Sequence, residues 1–282
     1  FLELKEKEDQ NRELTIQNAL ERVRSRALGM QESSELDEVS YTLSIELQDL
    51  IEDGDVAASI VTVDRDESVV YDHQQMAGWG RDGVLPVVRF DMNALDSSSP
   101  MRHMKDIHKA WERGDAVYQK VWTSAKEIAP LFKWVNRYYK EHYPNENFRW
   151  PESVPDCATV VNVMSPTGWI EISRTTTELF GDDEIALIKR FGDVFDFAYN
   201  RFRELKEKED QNRELTIQNA LERVRSRAQG MQESNEIKGV ATALRDEFEG
   251  LGHQIDSAIV GIPDEVARRV EVWFANPQTP GG

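Results

Sequence analysis

Residues 1–39 and 202–240 are one sequence written twice. FLELKEKEDQNRELTIQNALERVRSRALGMQESSELDEV recurs as FRELKEKEDQNRELTIQNALERVRSRAQGMQESNEIKGV, ungapped, at an offset of 201 residues and with six differences. A period of that length is a domain plus a connector. The chain therefore reads as one full unit, residues 1–201, followed by the opening of a second, an excerpt of a longer protein.

Within the repeat Ile16, Leu20, Val23, Ala27 and Met30 are spaced 4, 3, 4, 3, and Ile217, Leu221, Val224, Ala228 and Met231 repeat them. That is the seam of a coiled coil rather than the broader stripe of a globular helix. A second seam leads into the later copy, because Ile188, Phe191, Phe195, Ala198, Phe202 and Leu205 are spaced 3, 4, 3, 4, 3. One helix is thus expected from about Asp183 to about Glu233. The two seams differ in register. Continuing the first past Leu205 lands on Glu209, Asn212 and Thr216, one residue short of Ile217, so a slip falls in the polar run 206–214. A seam needs a partner, and a parallel homodimer through these helices is the expectation, the alternative being that the entry and exit helices of one unit pack on each other.

The chain carries 34 Lys and Arg against 52 Asp and Glu, a net charge of −18, which opposes non-specific binding to nucleic acid or anionic membrane. Arg22, Arg24 and Arg26, with Arg223, Arg225 and Arg227, lie on the coiled-coil helices, where ion pairing at flanking positions accounts for them. No apolar run approaches the roughly 20 residues that cross a bilayer. Cys157 is the only cysteine, so no disulfide forms within the chain and a reducing cytoplasm fits.

Between the copies the pattern alternates between helix and strand. Ser34 and Asp37 open a helix with Val39, Leu43, Leu47 and Leu50 on one face, repeated later as Val240, Leu244, Phe248 and Leu251. Residues 55–63 and 67–73 read as a hairpin, and 87–90 as a third strand. Ser99 and Pro100 start a helix that Gly114 stops. Residues 116–122 form a strand, 124–143 an aromatic-rich helix, and 158–164 with 169–173 a hairpin across Ser165, Pro166, Thr167 and Gly168. The fold class is α+β: an antiparallel sheet with flanking helices and long coiled-coil helices at both ends. Expected domains are 1–33, a linker helix; 34–201, the folded unit; 202–234, the repeated linker; and 235–282, the start of a second unit that stops before most of its sheet.

This order of elements, the IALIKRFGDVFDFAYNRFRELKEKEDQ exit helix and the IQNALERVRSRAQGMQESNEI segment after it resemble the GAF-type sensor domains of bacterial multidomain signalling proteins. In those proteins such units stand in tandem ahead of histidine kinase or nucleotide cyclase output domains. The resemblance implies a GAF-like fold, a cytoplasmic sensor role in signal transduction, and a downstream output domain outside this chain. It also implies a ligand pocket between one sheet face and the helices over it. The candidates are Trp79, Arg89, Met104, His108, Trp111, Trp122, Phe132, Trp134 and Trp169. No cofactor is indicated: nothing chooses among cyclic nucleotide, small metabolite, haem or no ligand. The other reading is a structural dimerisation array without ligand.

No catalytic pattern is present, with no Walker loop, His-Glu-x-x-His or Gly-x-Ser-x-Gly, so an enzyme is not expected. Gly78, Gly80 and Gly83 have dinucleotide spacing but precede a strand, whereas that fingerprint opens a helix. His103 and His108 are five apart, not the i,i+4 of a helical metal pair, and no metal site is expected. Cys157 has no neighbouring His and reads as a small buried residue rather than a chromophore anchor.

Overall fold

A strand with apolar residues on both faces must be covered on both sides, and the central strands of this chain, residues 56–64, 158–165 and 168–174, are of that kind. The computed structural model describes residues 2–51, 56–75, 86–95, 98–144, 153–233, 236–266 and 268–275. It divides into two compact units, Phe1–Leu205 and Lys206–Gly282.

Unit 1 runs α1 (Leu2–Gly29), a 3-10 turn (Ser33–Glu35), α2 (Leu36–Leu50), β1 (Val56–Asp64), β2 (Val69–Gln75), β3 (Val88–Asp91), α3 (Arg102–Glu112), β4 (Val117–Trp122), α4 (Ala125–His142), β5 (Ala158–Ser165), β6 (Gly168–Arg174) and the start of α5 (Asp182–Gln229). The strands form one antiparallel sheet in the order β3-β2-β1-β6-β5-β4. The expected elements are all present with ends shifted by a few residues, and the exit helix is continuous. The Gly78 to Gly83 loop lies outside the described residues.

Local chemistry fixes the turns. The Ser99 hydroxyl accepts the Met101 N–H at 3.2 Å ahead of α3. Gly114, at φ +78°, ends that helix, and Asp115 N–H closes onto the Ala110 carbonyl at 3.0 Å. At the β5–β6 turn Gly168 has φ +154°, and a Cβ there would sit 1.9 Å from the Val61 carbonyl oxygen, so only glycine fits.

One sheet face carries Ala58, Ile60, Val161, Val163, Ile170 and Ile172, buried with α1, α2 and the first part of α5. The other carries Val61, Val63, Val70, Val88, Phe90 and Trp169, buried with α3 and α4. Each fully buried Leu, Ile or Phe contributes about 1.5–3 kcal/mol.

The first layer changes the meaning of the repeated seam. Ile16, Leu20, Val23, Ala27 and Met30 were expected to face a second chain, yet all are buried inside unit 1, in one cluster with Val39, Leu43 and Leu47 of α2 and Ile188, Phe191, Phe195 and Ala198 of α5. The reason is that the turn after α1 folds α2 back along it, and the exit helix supplies the remaining apolar cover. Polar contacts fix that arrangement: Arg22 pairs with Glu46, Arg26 with Glu38 and with Glu35 at 3.3 Å, and Arg190 with Glu13 at 2.8 Å.

Unit 2 holds the rest of α5, then α6 (Ile237–Gly250), β7 (Ala258–Asp264) and β8 (Arg269–Ala275), the strands forming a hairpin. Arg223 pairs with Glu247 at 2.6 Å, as Arg22 does with Glu46 in unit 1. Ala220, Ile237 and Ala241 are buried, but Leu221 is 43% exposed where its counterpart Leu20 is 5% exposed. Ile217 and Val224 are only half-buried.

Candidate functional site

β-Strand parity puts every second residue of a strand on one face. With Val161, Val163, Ile170 and Ile172 facing α1, α2 and α5, the alternate positions of β5 and β6 face α3 and α4. Among apolar Val160, Met164 and Trp169, those positions include polar Asn162 and Glu171. Ser59 of β1 lies opposite Glu171 of β6, Glu171 opposite Asn162 of β5, and Asn162 opposite Tyr118 of β4. A straight polar row therefore crosses four strands on the α3/α4 face, with Asp72 of β2 one step away beside Val61.

The row is buried at its centre and incompletely satisfied. Asn162 is 0% exposed, and among the described residues neither its amide nitrogen nor its carbonyl oxygen has a hydrogen-bond partner; Glu171 Oε2 and Trp169 Nε1 are also without one there. Such groups each cost about 1–3 kcal/mol unless something completes them. Glu171 retains part of its surface although β6 has a strand on each side, so open space adjoins it. Burial, then the neighbouring Asp72, pushes its carboxyl up to about 8.

At the β4 end Lys120 lies 5.3 Å from the Trp122 ring, and His103 of α3 meets that ring edge-on at 5.5 Å. Burial, reinforced by Lys120, holds the His103 imidazole down to about 4, so it is neutral at pH 7. His108 is also lowered, chiefly by burial; its Nδ1 stands 3.7 Å from Glu112.

Among the candidates read from sequence, Met104, Trp111, Trp134 and Trp169 lie in the apolar cluster of this face. Trp134 stacks between Phe90 and Tyr138, each at 5.3 Å. Trp122 faces the same side; Phe132 is half-buried on α4 outside the cluster. Arg89 does not belong: it alternates with buried Val88 and Phe90, turns outward and reaches Glu67 at 3.8 Å. Trp79 lies outside the described residues. Cys157, expected to be buried, is half-buried, its thiol 3.7 Å from the Thr175 carbonyl. Sequence reading missed Ser59, Asp72, Tyr118, Asn162 and Glu171, whose signal is a polar side chain at the inward parity of an apolar strand.

A physical path joins this face to α5. Trp111 of α3 donates its indole N–H to the Ser165 carbonyl at 2.7 Å, and the Ser165 hydroxyl donates to Asp196 of α5 at 3.0 Å. Thr167, on the same turn, also donates to Asp196. At the start of α5, Glu184 accepts from Gly181 N–H at 2.8 Å and from Arg174 at 2.9 Å. Three acidic residues in the first turn complement the helix dipole.

No family model matches the chain, and no curated protein does. Solved structures similar to it include a bacteriophytochrome from the photosynthetic bacterium R. palustris, at 11% identity over 95% of this chain and 49% of that one, TM-score 0.44. The Stigmatella aurantiaca phytochrome photosensory core module is similar at 14% identity over 92% of this chain and 49% of that one, TM-score 0.43. The GAF domain of an Acinetobacter phosphoenolpyruvate-protein phosphotransferase follows at 12% over 65% and 93%, TM-score 0.32. The chain spans about half the length of the two phytochrome chains. Likenesses this distant carry no ligand or activity across. The architecture itself is α+β, a six-stranded antiparallel sheet with helices on both faces, consistent with the GAF-like fold expected from the sequence.

Proposed function

We propose that this chain is a regulatory sensor module of GAF type, without catalysis of its own, that takes a small ligand on the α3/α4 face of its sheet. The observation that carries the reading is the buried polar row with the unpartnered Asn162 amide at its centre, since a purely structural core gains nothing from such groups. Ligand state passes through Trp111, the Ser165 turn and Asp196 to α5, and α5 carries it toward an output domain of kinase or cyclase type in a longer bacterial protein. Self-association in parallel uses the second-copy face, Ile217, Leu221 and Val224, because the first-copy face is already covered within the chain. Among the described residues no helix is long and apolar enough to cross a membrane, and we place the module in the cytoplasm.

Native mass spectrometry of the purified chain tests the ligand reading. A stoichiometric small-molecule adduct that is lost in Asn162→Leu supports it. An adduct-free spectrum at every ionisation energy, with no stabilisation by any member of a metabolite panel, favours the array without ligand.

A further inference from the structure

The polar row also selects a kind of ligand, an inference that rests on the sensor reading. Its side chains are unequal in charge: Glu171 brings a carboxyl group, Asn162 an amide and Ser59 a hydroxyl, Asp72 adds a carboxyl one step off the row on β2, and no Lys or Arg stands at a register position of the row, Lys120 lying one step off it on β4. Cations on the same side are engaged away from it, Lys120 at the Trp122 ring and Arg65 4.3 Å from the Trp111 ring. A phosphate or carboxylate placed beside Glu171 meets the Asp72 carboxylate, the charge that acts on Glu171, and finds no cation acting there to offset its lost hydration. A group rich in N–H donors meets the reverse. The buried, unpaired oxygen of Glu171 and the carbonyl of Asn162 accept, and the half-buried ring of Tyr118 at the end of the row suits a cation.

We infer that the α3/α4 face binds a cationic, donor-rich group, an amine or amidinium attached to an apolar or aromatic body, with Glu171 and Asn162 as its principal acceptors. The apolar body lies against half-buried members of the cluster on this face, Leu131, Trp134 and Met164 among them. Binding supplies the positive charge that lets Glu171 ionise in place, so the site takes up the cation and releases a proton together.

The test uses two probes of matched shape and opposite charge, benzamidinium and benzoate, titrated calorimetrically into the full 282-residue chain at pH 7. Benzamidinium is expected to bind at least tenfold more tightly than benzoate. Glu171→Gln and Asn162→Leu should each weaken it about tenfold, while Glu67→Gln, on the outward side near Arg89, leaves it unchanged. Gln keeps the shape of Glu171 and removes its charge, so a well-folded Glu171→Gln chain that binds benzamidinium as before overturns the inference. Equal or stronger binding of benzoate, or no binding of either probe, also overturns it. An anionic molecule found bound in the native spectrum sinks the cation inference and leaves the sensor reading standing.

Discussion

Glu171 and His103 impose opposite pH dependences on the folding of unit 1. The Glu171 carboxyl is raised from 4.5 to about 8, so its share of stability is complete below pH 4.5 and is lost as pH rises toward 8. The His103 imidazole is lowered from 6.5 to about 4, so its share is complete above pH 6.5 and is lost as pH falls toward 4. Between 4.5 and 6.5 the two slopes cancel, and above 6.5 only the Glu171 slope remains. Between pH 6.5 and 8 the fold should therefore lose about 2 kcal/mol, at 1.4 kcal/mol per pH unit for one proton. Thermal melts of the wild type should fall across that interval, and those of Glu171→Gln should stay level. A variant that falls as steeply as the wild type would show that Glu171 is ionised in the fold. At this scale the sequence was half legible. The aromatic residues of α3 and α4 stand out by helical spacing, whereas Asn162 and Glu171 sit inside strands recognised by their apolar content. Their inward direction becomes visible only when Val161, Val163, Ile170 and Ile172 are known to face the other way.

One helical sequence, present twice, meets two environments. Periodicity shows that the face of Ile16, Leu20 and Val23 needs cover; it does not show whether the cover comes from a second chain or from the same one. That is why the elements, the hairpins and the continuity of α5 were readable in advance and the use of the seam was not. The difference predicts an asymmetric response to the same substitution. Leu20→Glu places a charge in a cluster where Leu20 is 5% exposed and should cost unit 1 on the order of 3–5 kcal/mol. Leu221→Glu, at a position 43% exposed, should change stability by less than about 1 kcal/mol. In sedimentation velocity Leu221→Glu should instead weaken self-association. Equal destabilisation by both would contradict the two environments, and an unchanged sedimentation profile after Leu221→Glu would remove the second-copy face as an interface. The β-hairpins invite a parallel comparison. β5–β6 is central in a six-stranded sheet, whereas β7–β8 pairs only with itself and leaves Ile259, Val270 and Phe274 more than half exposed. Hydrogen exchange should be fast in residues 258–275 and slow in 158–174; equal protection would mean that β7 and β8 gain a partner in solution.

For the molecule to act as a relay, α5 must hold two states of similar energy somewhere along its length. The helix is unbroken from Asp182 to Gln229, but its side-chain support is not. Leu205 is buried, residues 206–216 are exposed apart from half-buried Glu209, and Ile217 is half-buried. The boundary between the two compact units falls at the start of this run, after Leu205. Both the continuity of the helix through this run and the shift of seam register by one residue were legible in the spacing; that the seam before the run is covered within the chain was not. A helix held by apolar contacts before the run, and again from Ile217 and Ala220, but by none within it can change its winding there at little cost. Replacing Glu209 and Asn212 with Leu and deleting one residue between 206 and 214 makes the seam continuous. Amide exchange across 206–214 should then slow toward that of 188–202. If the polar run is the switch, output of the longer protein should also lose its response to stimulus while keeping a fixed activity. A response of normal amplitude from a chain whose linker exchange has slowed would mean that the signal travels by the Trp111–Ser165–Asp196 contacts and rigid movement of α5, without rewinding of the run. Asp196→Asn, which weakens the hydrogen bonds from Ser165 and Thr167, would then be the variant that blunts it.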